Sequence, residues 1–156
     1  MMPGTRSTSV SDLKSHIGFW MRFVSNHVSQ AFAAHLQRNE VTVAEWVVLR
    51  EMYELGATSP SVVAERTGMT RGTASKLVDR LLAKKLLTRT VRADDRRFQD
   101  IELTPAARRL VPTLGAIADR NDRHFFAPLT LPERETLLAL LQKLAQAHGL
   151  RKLPTE

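Results

Sequence analysis

The chain has 156 residues, enough for one domain with a buried core, and carries 23 Lys and Arg against 16 Asp and Glu. A net charge of +7 suits a polyanionic partner, nucleic acid or an acidic membrane surface, although a merely soluble basic protein shares it. There is no cysteine, which excludes disulfides, thiolate catalysis, cysteine redox sensing and cysteine metal sites.

Met1 to Ser11 is polar and has no apolar run, so it does not read as a secretory signal. No stretch approaches the ~20 apolar residues that span a bilayer. A cytoplasmic protein is expected, with no membrane partner, a loose start and a loose tail from Gly149.

Leu13, Ile17, Trp20, Met21, Val24, Val28, Phe32 and Leu36 recur at helical spacing and predict a long first helix over 11–38. Thr42-Val43-Ala44-Glu45 is a capping box and opens a second helix. Its apolar positions are Trp46, Val47, Leu49, Met52 and Tyr53, with Arg50 one turn after Trp46 and Gly56 as terminator. Ser59-Pro60 starts a short third helix that Gly68 ends. Thr70 caps a fourth, which runs to about Lys84.

Leu87 to Arg92 and Phe98 to Leu103 read as the strands of a hairpin, with Ile101 and Leu103 on one face. Thr104-Pro105 opens a fifth helix with Leu110, Leu114, Ile117 and Ala118 on its apolar side. Pro112 should kink it. Thr130 and Glu133 form another capping box, and Leu137, Leu138, Leu140, Leu141 and Leu144 line a last helix to about His148. The terminal helices expose more apolar face than the middle covers. Trp20, Phe32, Phe125, Phe126 and the last leucines therefore predict a homodimer made by both chain ends.

The segment from Pro60 to Leu82 has the order short helix, tight turn, longer helix. Ala64 allows close approach, Gly68 supplies the turn, and Leu77 and Val78 pack back. In a helix-turn-helix the second helix enters the major groove. Arg71, Thr73 and Lys76 would reach base edges or phosphates, and Ser75 and Arg80 the backbone. The competing reading is an ordinary helical pair with a solvated face. The hairpin adds Arg89, Arg92, Arg96 and Arg97, and a long arginine suits a narrow minor groove. Asp95 would hold Arg97 in one rotamer.

Trp46, Ser59-Pro60, the run from Met69 to Leu81, Leu86-Leu87-Thr88-Arg89, Asp94-Asp95-Arg96-Arg97 and Leu103-Thr104 together resemble the MarR family of transcriptional regulators. The match is close over 42–110. The resemblance implies a mainly α fold with a small β-hairpin wing, a winged helix-turn-helix. Residues 1–40 would be a tail and first dimerisation helix, 41–104 the DNA-binding domain and 105–156 the C-terminal dimerisation helices. It implies a homodimeric repressor on a pseudo-palindromic operator in double-stranded DNA. It also implies an Asp-x-Arg wing motif at Asp95 and Arg97, and release by a small phenolic or other anionic ligand. The DNA-binding set is then Ser59, Thr70, Arg71, Gly72, Thr73, Ser75, Lys76, Arg80, Arg89, Asp95, Arg96 and Arg97. Two positions depart from the pattern. Lys85 stands where glycine usually ends the recognition helix, which suggests a differently built cap. Pro105-Ala106-Ala107 replaces an acidic residue and a glycine.

For a ligand such as an aromatic carboxylate, the candidates are His16, Trp20, Trp46 and Arg50, two rings to stack and two groups to pair a carboxylate. Core tryptophans and a surface histidine are the plainer reading of the same residues. The five histidines have no close ligand spacing, so no metal and no cofactor is expected. No phosphate loop, nucleophile elbow or metalloprotease motif is present, which argues against an enzyme. Two alternatives stay open: a dimeric regulator without small-molecule control, and a dimeric interaction module that has lost DNA binding.

Overall fold

A computed structural model describes residues 9–95 and 99–155. Among these, a 3₁₀ turn at Leu13–Ser15 precedes helices α1 (Ile17–Gln37), α2 (Val43–Tyr53), α3 (Pro60–Thr67) and α4 (Arg71–Ala83). Strands β1 (Leu87–Val91) and β2 (Gln99–Leu103) follow, then helices α5 (Pro105–Phe125) and α6 (Leu131–Ala147). The fold is a winged helix-turn-helix, mainly helical with one antiparallel hairpin.

The first helix is shorter than its periodicity predicts. His16 is extended, at φ −89 and ψ 126, and separates the 3₁₀ turn from α1. Local side chains favour the break. The Ser15 hydroxyl donates to the Asp12 carbonyl at 2.6 Å, and His16 Nδ1 lies 3.2 Å from the Leu13 carbonyl. Such bonds offer the backbone an alternative to helix.

Helix starts follow the cap residues closely. Thr42 Oγ1 accepts from the Glu45 amide at 3.1 Å, and the Thr42 amide donates to Glu45 Oε2 at 3.2 Å. Ser59, Thr70, Thr104 and Thr130 each accept from the third residue of their helix. At Thr130 the donated backbone and hydroxyl bonds lower the pKa of the exposed Glu133.

Among the helix ends, that of α2 departs from its expected terminator. α2 stops at Tyr53, and Glu54, not Gly56, is its right-handed cap. The chain is then drawn into extended pairing. The Thr58 amide donates to the Ile101 carbonyl at 2.9 Å, and the Ile101 amide returns a bond at 2.7 Å. This adds a bridge beside β2 that no sequence pattern announced. α4 ends in the left-handed cap that glycine normally makes, with Lys85 itself at φ 60. The Leu86 amide donates to the Leu81 carbonyl at 2.9 Å and the Lys85 amide to the Leu82 carbonyl at 3.0 Å. These are the two bonds of a Schellman motif. Leu86 packs on the buried core, so hydrophobic contact holds the turn that Lys85 alone would disfavour. α5 runs unbroken through Pro112, which lies on its exposed side.

Leu36, Leu49, Met52, Leu81, Ile101 and Leu114 are fully buried and tie α1, α2, α4, β2 and α5 into one core. Val48 is buried too, although it did not stand out on α2. α2 packs against α3, α4, β2 and α5, so its apolar positions form no single stripe. Phe32 finds its partner within the chain, edge-on to Trp46 with ring centroids 6.4 Å apart. α6 buries no residue, and Ile17, Leu131 and Leu138 stay well exposed. The tail beyond Gly149 is not loose. The Leu153 amide donates to the Thr67 carbonyl at 2.9 Å.

Lys85→Gly relieves the left-handed strain at this cap. Thermal denaturation should show a gain of about 0.5–1 kcal/mol, a rise of roughly 2–4 °C. A lower melting temperature would show that Lys85 is not strained.

Candidate nucleic-acid interface

The turn between α3 and α4 is built by Thr67, Gly68 and Thr70. Thr67 is fully buried; its hydroxyl donates to the Val63 carbonyl at 2.7 Å and accepts from the Met69 amide at 3.4 Å. Gly68, at φ 69, takes the left-handed step at which other residues are strained. Thr70 Oγ1 then accepts from the Thr73 amide at 3.1 Å and starts α4.

α4 has two unlike faces. Ala74, Leu77, Val78 and Leu81 are buried, while Arg71, Gly72, Thr73, Ser75 and Lys76 face solvent. Among the described residues neither Arg71 nor Lys76 has an ion-pair partner. Their charge is therefore available to a polyanion. The helix N-terminus adds a positive partial charge beside Thr70 and Arg71.

Arg80, an expected DNA-backbone contact, meets a buried carboxylate within the chain. Its Nη2 lies 3.1 Å from Oε1 of Glu45, whose side chain is 0% exposed. Lys84 Nζ lies 2.7 Å from the other carboxylate oxygen and also donates to the Glu40 carbonyl at 2.6 Å. Glu45 thus serves twice: it completes the cap of α2 and joins α2 to the recognition helix. The capping pattern was legible in the sequence. The second role was not, because Arg80 and Lys84 are 35 and 39 residues away.

The wing stands on α4 as well. β1 and β2 pair from Leu87↔Leu103 to Val91↔Gln99. Arg89 Nη2 donates to Asp79 Oδ1 at 3.2 Å, which ties the wing to the recognition helix and engages part of an expected DNA contact. Arg92 meets Asp100 at 3.0 Å; that hydrogen bond, then the charge of Asp100, raises the guanidinium pKa. Asp95 is half-buried, and its amide donates to Asp94 Oδ1 at 3.1 Å. Arg96 and Arg97 lie outside the described residues, as does the expected Asp95–Arg97 pair.

His16, Trp20, Trp46 and Arg50 do not come together within the chain. The Trp20 indole donates to the Lys14 carbonyl at 2.8 Å, and its ring meets Phe19 and Phe23. Arg50 pairs with Glu54 at 3.0 Å and lies over the Tyr53 ring. His16 closes the 3₁₀ turn. Trp46 does line a cleft of about 230 Å³, with Val28, Ser29, Phe32, Ala118, Asn121 and Asp122. A larger neighbouring cleft, about 580 Å³, includes His35, Arg38, Arg120, Asn121 and His124. Sequence reasoning missed this basic group, because it forms only when α1 packs on α5.

Residues 39–97 match the model of the MarR family. The chain is 32% identical to a probable transcriptional regulator from Pseudomonas aeruginosa, covering 85% of this chain and 99% of that one, with a TM-score of 0.74. The chain belongs to the MarR family. It is also similar to Bordetella bronchiseptica BpsR, whose DNA binding is regulated by 6-hydroxynicotinic acid. The identity is 27%, the coverage 88% of this chain and 98% of that one, and the TM-score 0.75. Similarity to S. aureus MepR in complex with DNA is 25% in identity over 85% of this chain and 98% of that one, with a TM-score of 0.74. MarR-family membership makes the chain a DNA-binding transcriptional regulator, and α3–turn–α4 with its wing is the family's helix-turn-helix. Lys85 and the Pro105-Ala106-Ala107 segment both lie off the exposed face of α4.

Arg80→Ala combined with Lys84→Ala strands a buried carboxylate. Breaking a buried pair costs about 3–5 kcal/mol; both cations are partly solvated here, so roughly 2–3 kcal/mol is expected in chemical denaturation. A loss under about 0.5 kcal/mol would show that Glu45 does not need its partners.

Proposed function

We propose that the chain is a homodimeric, non-enzymatic repressor that acts in the cytoplasm, reads a pseudo-palindromic operator and leaves it when a small aromatic anion binds. The observation that carries the DNA reading is the exposed basic face of α4 over its buried apolar one. Ser59, Thr70 and the α4 N-terminus take phosphates, with Gly72 letting the backbone approach. Arg71, Thr73 and Lys76 take base edges, and Ser75 takes backbone. Arg89, Arg96 and Arg97 of the wing reach the adjacent groove, with Asp95 steadying Arg97. Arg80 acts from behind, through Glu45.

The uncovered leucines of α6 and the exposed start of α1 support the dimer. Residues 1–40 and 105–156 supply that interface, and 41–104 the DNA-binding domain. Two half-sites then lie about one helical turn apart, roughly 34–36 Å.

The Trp46 cleft supports the ligand reading better than His16, Trp20 or Arg50 does. Trp46 and Phe32 offer an aromatic wall, and Asn121 is shared with the basic cleft of His35, Arg38, Arg120 and His124. An aromatic ring with a carboxylate matches that pairing of surfaces. BpsR, regulated by such an acid, adds support. Trp46 follows Glu45 in the chain, so a ligand that shifts α2 also shifts the anchor of α4.

Lys76→Ala and Arg71→Ala should each cost about 1–3 kcal/mol on the operator and relax base preference at the half-site. Gel-shift titrations against operator and random duplex check this. Equal losses on both DNAs would make these residues phosphate contacts only. Trp46→Ala should leave DNA binding intact and remove release by aromatic acids such as 6-hydroxynicotinic acid. Retained release would move the ligand elsewhere.

A further inference from the structure

The last residues of the chain lie against the turn of the helix-turn-helix. A Schellman cap at the end of α6, with Gly149 at φ 60, directs the chain out of the helix. The Leu150 amide closes that cap on the Ala145 carbonyl at 2.9 Å. The tail then reaches α3, where the Leu153 amide donates to the Thr67 carbonyl at 2.9 Å. Leu153 and Thr155 are half-buried there. The approach is close enough to need glycine at Gly68. A Cβ at that position would lie 2.6 Å from the Lys152 Cα and 2.8 Å from the Arg151 carbonyl oxygen. Gly68 therefore has two reasons to be glycine, its left-handed backbone and the chain crossing over it.

The crossing places charge where it matters. Arg151 and Lys152 are both exposed, and neither has an ion-pair partner among the described residues. The Lys152 backbone touches Gly68, two residues before Thr70 starts α4. Two residues span at most about 7.6 Å, a distance the flexible lysine side chain largely covers. Glu65, in the last turn of α3, is an exposed carboxylate close in sequence and opposes rather than neutralises a polyanion.

We propose that the C-terminal tail, 150–155, is an accessory DNA clamp whose Arg151 and Lys152 bind phosphate beside the N-terminus of α4. The proposal rests on the DNA-binding reading of α4 and deepens it. The tail belongs to the end of the chain expected to dimerise, yet it contributes to the surface that meets DNA. It grips sequence-independently, while α4 discriminates.

The test is the salt dependence of binding to a random-sequence duplex, measured by fluorescence anisotropy with the full chain. Arg151→Gln with Lys152→Gln should lower the log–log salt slope by about 0.9 for each phosphate that is no longer neutralised. The operator-to-random affinity ratio should stay unchanged. Gly68→Asn gives a second readout. Asparagine tolerates the left-handed backbone, but its Cβ displaces the tail, so the slope should fall with both charges still in the chain. An unchanged slope for the double variant, or tighter binding, overturns the clamp. If the unaltered chain itself binds duplex without salt dependence, the DNA reading fails along with it. If only the tail variants match the unaltered chain, the clamp alone fails.

Discussion

The buried carboxylate of Glu45 is the interaction on which the placement of α4 depends. It has no access to solvent, yet it is met by Arg80 at 3.1 Å and Lys84 at 2.7 Å. An isolated charge in that position would be costly, so the two cations are held to it. Both come from one side of α4, and Glu45 comes from the first turn of α2. α4 is thus fastened to its neighbour at its C-terminal half, while Arg71, Thr73, Ser75 and Lys76 of its N-terminal half stay exposed. Hydrophobic contacts through Leu77, Val78 and Leu81 fix how deep α4 sits. The ion pairs fix its direction.

Other fastenings repeat this logic at lower strength. Arg89 joins the wing to Asp79 on α4, and Thr67 stitches the turn from inside. Each uses a polar side chain to hold α4 or its turn in place. Arg71 and Lys76, which have no ion-pair partner among the described residues, are the cations on the outward face.

Much of this was legible in the sequence, and the rest failed for physical reasons. Helix starts were read well because a cap is local: Thr42, Ser59, Thr70, Thr104 and Thr130 each bond within their own first turn. Most helix ends fall within a residue of their expected place, but the end of α2 depends on a distant strand: Thr58 pairs with Ile101 and the chain leaves α2 before Gly56. Lys85 shows the limit of propensity. Packing of Leu86 on the core outweighs its left-handed strain. The basic face of α4 follows from 3.6-residue periodicity and was visible at once. The fate of Arg80 was not, since nothing local distinguishes a cation that meets DNA from one that meets a buried glutamate. The dispersal of His16, Trp20, Trp46 and Arg50 within the chain was hidden for the same reason. Trp20 and Trp46 look equivalent in sequence, but Trp20 is drawn into the ring cluster at the start of α1 and only Trp46 reaches the α1–α5 seam.

We propose that the charge of Glu45 holds α4 in the orientation in which it reads DNA. Glu45→Gln tests it most directly, because the amide oxygen can still accept from the Thr42 amide and keep the cap, while the charge that holds Arg80 and Lys84 is gone. The deciding measurement is the ratio of operator to random-duplex affinity for this variant at one salt concentration. A fall of about tenfold is expected, equivalent to ~1.4 kcal/mol, with random-duplex binding kept or strengthened by the two released cations. A ratio equal to that of the unaltered chain would contradict it and reduce Glu45 to a helix cap.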